Sequence, residues 1–252
     1  MDTTVIIHIY NEEYMLPFWL KHHKNIFNHG IIIDYRSTDN SINICKEICP
    51  TWDIITTRNE MFDAKNVDLE VMDIEDKISG IKICLNVTEF LFTLKPLIHY
   101  FKEDESLSYA IKVTSPYSVN TYYPENNHEL FEDMLNEDVF CHNDRDYRQL
   151  HNFGNGAYSR GRHATSNPIT NNDIELHIIW TGYYPFNELV LKRKLQIKNN
   201  IPESDKKLGI GYQHLFDADT IMSVIKEKAD SGWPLKHINP SLYKMLELYL
   251  TF

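Results

Sequence analysis

TTVIIHIYNEE, residues 3–13, decides the fold. Residues 3–9 are β-branched and apolar at odd and even positions alike. That is the pattern of a strand covered on both faces, which belongs in a parallel sheet. The apolar run stops at a polar step, Tyr10-Asn11-Glu12-Glu13. A helical pattern follows over residues 15–27, and Gly30 breaks it. Residues 31–33 (III) make a second buried strand that ends at Asp34. Residues 35–39 form a polar turn, in which Thr38, Asp39 or Asn40 can cap a helix running through residue 48, where Pro50 stops it. WDIITT, residues 52–57, is a third strand, residues 67–78 a helix closed by Gly80, and IKICLNV, residues 81–87, a fourth strand. Strands alternating with helices imply βαβ units, hence an α/β fold with a mostly parallel sheet flanked by helices.

The second half is less regular. Residues 107–114 and 174–180 read as strands, and residues 186–200 as a basic helix. Residues 115–172 are rich in Asn, Asp, Tyr, His and Gly, with helical potential near 128–136. So long a polar stretch in a compact domain carries function more often than it serves as linker. From residue 218 onward two helices are expected, separated by Gly232, Pro234 and Pro240. The expected organisation is one domain over 1–217, divided at about residue 90, with a C-terminal helical segment over 218–252.

The chain has 252 residues, 42% of them apolar and 24% charged, enough to build a sizeable core. Its formal net charge of −11 repels phosphate backbones and argues against nucleic-acid binding. The local run Lys192, Arg193, Lys194 and Lys198 still leaves room for a basic pocket. The cysteines are Cys45, Cys49, Cys84 and Cys141, with no Cys-x-x-Cys pair, so reduced thiols in a reducing compartment are expected. No basic leader opens the chain, and no apolar run approaches the roughly 18–20 residues of a membrane span. A cytoplasmic protein with no transmembrane segment is the expectation.

In an open parallel sheet, ligands bind beyond the carboxyl ends of the strands. That rule selects Tyr10 to Glu13, Asp34 to Ser41, Thr57 to Asn59 and Asn86 to Glu89, each a polar step ending an apolar strand. A nucleoside needs a carboxylate or amide for base and ribose and a surface for its ring, which Tyr10, Glu12 and Asp34 can supply. Any one of these acids alone is as readily a helix cap or a solvated strand end. Their gathering at one predicted edge distinguishes them.

IIHIYNEE (residues 6–13) and IIIDYRSTDNS (residues 31–41) resemble the opening of family 2-type glycosyltransferases of the GT-A fold. There a strand ends in an Asn-Glu step, and a second ends in an acid followed by a Ser-Thr-Asp-x-Ser turn. The resemblance implies a nucleotide-sugar donor, a UDP- or GDP-sugar, and a glycan or other hydroxyl acceptor. It implies that Asp34 and Glu12 contact base or ribose and that Tyr10 lies near a uracil-type ring. Asp39 and Ser41 would cap the following helix, and Arg58 and Asp68 would complete the donor pocket. SRGRH (residues 159–163) and LHIIWTGYYPFNELVLKRK (residues 176–194) are similar to the later part of a subset of these enzymes. This brings in Arg162, His163, His177, Arg193 and Lys194, with the two basic residues of the helix set against the leaving diphosphate.

Many relatives carry Asp-x-Asp-Glu-Phe where this chain has Asn86-Val87-Thr88-Glu89-Phe90. Two acids two apart at a strand end can hold Mg2+ or Mn2+ against a diphosphate, and both are neutral here. Three outcomes stay open: metal held through Glu89 and a distant histidine such as His177, catalysis without metal, or lost activity. An inverting transfer, which the resemblance favours, needs a carboxylate to take the acceptor proton. Asp144, Asp146 and Glu89 are the candidates, with His163 beside the leaving group. A sugar-nucleotide or glycan-binding module of the same fold is the alternative. A nucleotidyltransferase is disfavoured because no glycine-rich loop follows the first strand.

Overall fold

The computed structural model describes residues 1–170 and 176–251, without the side chains of 144–146. Strands β1 (Thr3–Ile9), β2 (His29–Asp34), β3 (Asp53–Thr56) and β4 (Ile81–Asn86) alternate with helices α1 (Leu16–His23), α2 (Ser41–Ile48) and α3 (Ala64–Glu75). The four strands lie in the order β3-β2-β1-β4 and run parallel, with Ile6 opposite Ile31 on one side and Cys84 on the other. Every residue of β1 is buried, as its unbroken apolar run requires. Val5, Ile7 and Ile9 face Trp19 and Leu20 of α1 and Cys45 of α2, while Ile6, Ile31, Ile33 and Cys84 face Val67 and Val71 of α3. The helices therefore cover both faces of this half, and the α/β class expected from the sequence is what the structure shows.

The chain continues through β5 (Glu89–Thr93), β6 (Ser108–Tyr117), α4 (Asn127–Asp133), β7 (Phe140–His151), β8 (Leu176–Trp180), α5 (Glu188–Gln196), α6 (Glu203–Lys207), α7 (Ala218–Ser231), β9 (Trp233–Pro234), α8 (Leu235–Ile238) and α9 (Pro240–Tyr249). The sheet extends as β7-β6-β8-β5, with β9 on β7, in mixed directions. β4 and β7 meet at the Lys82–His151 pair. The joint is reinforced by the buried Lys82 ammonium, which donates to the carbonyls of Glu75 (2.9 Å), Ile78 (2.7 Å) and Gly154 (2.9 Å). Leu235 of α8 and Leu242, Met245 and Leu246 of α9 pack into the main core.

Three strands escaped the sequence reading, one of them the two-residue β9 between the expected C-terminal helices. β5 starts two residues after β4, yet the chain turns at Val87-Thr88 and carries β5 to the far end of the sheet, antiparallel to β8. Helix α1 satisfies the outer edge of β5 with side chains. Trp19 Nε1 donates to the Glu89 carbonyl (2.9 Å), His22 Nε2 donates to the Leu91 carbonyl (2.7 Å), and the Leu91 amide donates to His23 Nε2 (3.1 Å). A buried strand edge needs such partners, because an unmatched backbone group away from water is costly. The third missed strand is β7, inside the polar stretch. It pairs with β6 along its length, with a register shift between Lys112 and Val113.

Several boundaries move. The first helix ends at His23, four residues before its apolar pattern does. The third begins at Ala64, capped by Asp63, whose Oδ1 accepts from the Asn66 amide (2.8 Å). The strand expected over 107–114 continues to Tyr117, and that expected over 174–180 is described from Leu176. Residues 174 and 175 lie outside the described residues. The four cysteines are free and buried. No described helix is long and apolar enough to cross a membrane.

Candidate functional site at the strand ends

The loops after β1 and β2 are wired to each other. The Asn11 amide donates to Ser37 Oγ (3.0 Å), the Thr38 amide to Asn11 Oδ1 (2.7 Å), the Glu12 amide to Ser41 Oγ (2.8 Å) and the Glu13 amide to Asp39 Oδ2 (3.0 Å). Ser41 Oγ thus binds the β1 loop, whereas Asp39 serves both sides: its Oδ2 holds the β1 loop and its Oδ1 accepts from the Ser41 amide (3.0 Å), the first N–H of α2. The helix-end role expected for Asp39 is present, and that expected for Ser41 is corrected. Asn11 (φ 52°) and Arg36 (φ 62°) both occupy the left-handed region, where asparagine is tolerated and arginine is strained. Arg36 is held there by the carbonyls of Asn59 (2.9 Å) and Thr57 (3.4 Å) at the end of β3. Such conformations persist where the surroundings over-determine them, often at ligand sites.

Five buried acids stand at or beside these strand ends: Glu12, Asp34, Asp68, Glu70 and Glu89. Three of them are fully engaged. Glu70 takes Thr57 Oγ1 (2.6 Å), Asn59 Nδ2 (2.8 Å) and the Arg58 amide (2.7 Å). Asp68 takes Arg162 Nη1 and the Gly161 amide, each at 2.6 Å. Glu89 takes Arg148 Nε (3.0 Å) and Nη2 (2.6 Å), together with the Asn86 amide (2.8 Å) and Nδ2 (3.0 Å). Of these five, only Asp34 and Glu12 keep an oxygen without a hydrogen-bond partner among the described residues. Asp34 Oδ1 accepts from the Ser37 amide (2.9 Å) and Glu12 Oε2 from Arg193 Nε, which leaves Asp34 Oδ2 and Glu12 Oε1. Burial, the larger effect, pushes the Glu12 carboxyl above the usual carboxylate range against the pull of Arg193.

A continuous chain of contacts runs beneath this ledge. Arg162 bridges Asp68 and Asn86 Oδ1 (3.2 Å), Asn86 holds Glu89, Glu89 holds Arg148, and Arg148 Nη1 contacts His163 Nδ1 (3.2 Å). Asp68, Asn86, Glu89 and His163 are therefore brought together as expected, but as an ion-pair network. The metal pair is not formed. Glu89 lies opposite Trp180 and His177 opposite Phe92, three residues further along the same two strands, about 10 Å away. His177 contacts Ser241 Oγ (3.2 Å) and Asn239 Nδ2 (3.2 Å) beside α9. A hard divalent cation needs free oxygen ligands. Here Asn86 Oδ1 serves Arg162 and both Glu89 oxygens serve Arg148 and Asn86. Among the described residues, no group of three or more His, Cys, Asp or Glu is placed to hold a metal. The described residues at this site do not fit Mg2+ or Mn2+.

The tips of the strands converge as expected, but the cleft over them is filled by this chain. Arg193 of α5 pairs with Glu12, and Gln196 Nε2 donates to the carbonyls of Tyr10 (3.1 Å) and Asn11 (2.8 Å). The Asn200 carbonyl accepts from the Phe62 amide (2.7 Å). Lys194 is buried over the rings of Tyr183 (4.9 Å to the centroid) and Trp180 (5.8 Å), with no ion-pair partner among the described residues. Burial, with Arg193 adding to it, lowers its pKa to about 7. A groove of about 320 Å³ lies elsewhere, against α7, lined by Val119, Phe186, Met222, Ser223, Ile225 and Lys226.

Arg58 is placed otherwise than expected. Its guanidinium pairs with Asp73 (2.5 Å) on α3 with both side chains about half exposed, and only its amide reaches the Glu70 cluster. The side chains of Asp144 and Asp146 lie outside the described residues. The sequence reading missed Glu70, Arg148 and Gln196. Arg148 and Glu89 are 59 positions apart, so no spacing could join them. Glu70, two residues from Asp68 in a helix otherwise read for its apolar face, carried no distinguishing signal.

No family model matches the sequence, and no curated protein matches it. Among solved structures, glucosyl-3-phosphoglycerate synthase from Mycobacterium tuberculosis, in complex with Mn2+, UDP and glucosyl-3-phosphoglycerate, is similar over 35% of this chain at 12% identity and a TM-score of 0.28. This chain spans about a third of that protein's length, 34%. The mannosyltransferase PcManGT from Pyrobaculum calidifontis, in complex with GDP-Man and Mn2+, is similar over 99% of this chain and 85% of its own, at 11% identity and a TM-score of 0.41. S. aureus TarS 1–349 is similar over 100% of this chain and 90% of its own, at 13% identity and a TM-score of 0.42.

Proposed function

We propose that this chain is a glycosyltransferase of the GT-A type that moves a sugar from a UDP- or GDP-sugar to a hydroxyl of a glycan or other acceptor. One observation carries the reading. Of the five buried acids at the strand ends, the two that keep an unpartnered oxygen are Asp34 and Glu12, the pair that the sequence resemblance sets against the nucleoside. Ribose hydroxyls are donors and need such acceptors. Tyr10, half-buried at the same tip, supplies a ring face. Binding there requires α5 to withdraw Arg193 and Gln196, and that places the basic pair Arg193 and Lys194 at the rim of the opened cleft.

In this reading the transfer inverts the sugar. The departing diphosphate is stabilised electrostatically, and a carboxylate takes the acceptor proton. Glu89 is committed to Arg148 and Asn86, so the sequence candidates that remain are Asp144 and Asp146. The same commitment, with neutral Asn86 and Thr88, favours a second reading, in which the chain binds a sugar nucleotide without turnover.

Calorimetry with UDP and GDP on wild type and Asp34→Ala tests the first reading. Loss of both the free oxygen and the Ser37 contact should weaken binding about tenfold or more, with the far-ultraviolet spectrum unchanged. Affinity that stays within about twofold removes Asp34 from the site. Release of nucleotide from a panel of sugar donors separates transferase from binding module.

A further inference from the structure

Resting on the nucleotide-sugar reading above, we infer that the donor's diphosphate is held by Arg162, Arg193 and Lys194 in place of a divalent cation. The acids that would ligate a metal are absent or spent. Position 86 is an amide already shared between Arg162 and Glu89, position 88 is a buried threonine, and Glu89 is saturated. Cations flank these positions instead: Arg162 against Asn86, and Lys194 over Trp180, the residue opposite Glu89.

Arg162 reaches Asn86 with Nη2 and Asp68 with Nη1, while its Nε is buried and has no hydrogen-bond partner. The residue is 5% exposed, and a buried guanidinium N–H left unmatched calls for a partner such as water, an ion or a ligand. It sits at φ 60°, directly after Gly161 at φ 78°, so the turn that aims it is conformationally strained. Lys194 is the second cation, and it has no ion-pair partner among the described residues. It lies over Trp180, the residue opposite Glu89 across β5 and β8, and it feels both Glu12 and Arg193. Arg193 is the third. Its partner Glu12 is a carboxylate that burial drives toward its neutral form. When a diphosphate takes Arg193, Glu12 can accept a proton and Lys194 can gain one. The charge brought in is then matched without a metal. Asp39, which also acts on Glu12, and His214, whose pKa the two cations help hold at about 3 after burial, are the other titratable groups facing this cluster.

The test is calorimetric binding of UDP and GDP to the full chain, in EDTA and with Mn2+, for wild type, Arg193→Gln and Lys194→Met. Expected is an affinity that agrees within about twofold between EDTA and Mn2+, and a loss of about tenfold or more in each variant. Lys194→Met removes a buried charge while keeping the stem, so it should fold at least as well as wild type, and thermal melts verify this. Binding that Mn2+ tightens about tenfold or more overturns the inference and leaves the nucleotide reading standing. So does an affinity that both variants leave unchanged. No nucleotide binding in any condition overturns both.

Discussion

Replacing Arg148 by methionine probes what Glu89 does. The two side chains are 5% and 2% exposed and share bonds of 3.0 and 2.6 Å. Without the guanidinium the carboxylate stays buried with the Asn86 amide and side chain alone. Breaking one partner from a buried ion pair costs about 3–5 kcal/mol. Methionine preserves most of the stem, so lost packing adds less than about 1.5 kcal/mol. With a urea slope of about 3 kcal/mol/M, the midpoint should fall by about 1–2 M. The Arg148→Met/Glu89→Leu double variant removes both charges and should regain at least about 2 kcal/mol of the loss, less whatever the orphaned Asn86 amide costs. Unfolding can be followed by the fluorescence of the buried Trp19, whose Nε1 bonds the Glu89 carbonyl. A single-variant loss below about 1 kcal/mol, or strict additivity in the double variant, would refute the saturated-carboxylate reading. Glu89 would then return as a candidate base or metal ligand.

Two further outcomes are expected. Gly30→Ala would drive a Cβ into the Trp52 indole behind β2, costing about 1–3 kcal/mol, and an unchanged melting temperature would count against that packing. Stability should fall steeply on acidification below the ordinary histidine value of 6.5. Burial lowers the pKa of His8, of His23 and, to about 4, of His22. The unfolded chain binds these protons first, so the stabilisation is complete above 6.5 and lost as pH falls toward 4. For His22 alone the drop from pH 7 to pH 5 is about 2 kcal/mol, and urea titrations that are flat across this range would contradict it.

The first half of the fold could be read directly because β1 to β4 are apolar on both faces and each ends in a polar step. The strand ends Asn11, Glu12, Asp34 and Asn86 were found for the same reason. β7 could not be read, because its buried positions include Arg148, Gln149 and His151, which pattern alone assigns to the surface. Such residues are tolerated inside only through partners remote in sequence, Glu89 for Arg148 and Glu75 beside His151 (3.4 Å). β5 was hidden differently: its edge is completed by Trp19, His22 and His23, so the strand depends on a helix some 70 residues earlier. Arg58 misled because its position beside β3 is right, while its long side chain finds Asp73 in solvent.

If the strand tips take a nucleotide as proposed, helix α5 is the gate to that site and also sets how this protein would appear to an assay. Its grip on the strand tips comprises the Arg193 ion pair, two bonds from Gln196 and the Asn200 contact that follows the helix. At a net of about 0.5–1.5 kcal/mol each, these bias the gate shut by about 2–6 kcal/mol. A bias near 3 kcal/mol leaves fewer than about one molecule in a hundred receptive at any instant, and the apparent dissociation constant rises by the inverse of that fraction. A nucleotide would then associate at a rate that levels off with concentration, limited by how often the helix lifts. Pruning Gln196 to alanine would quicken capture without adding a single contact to the ligand.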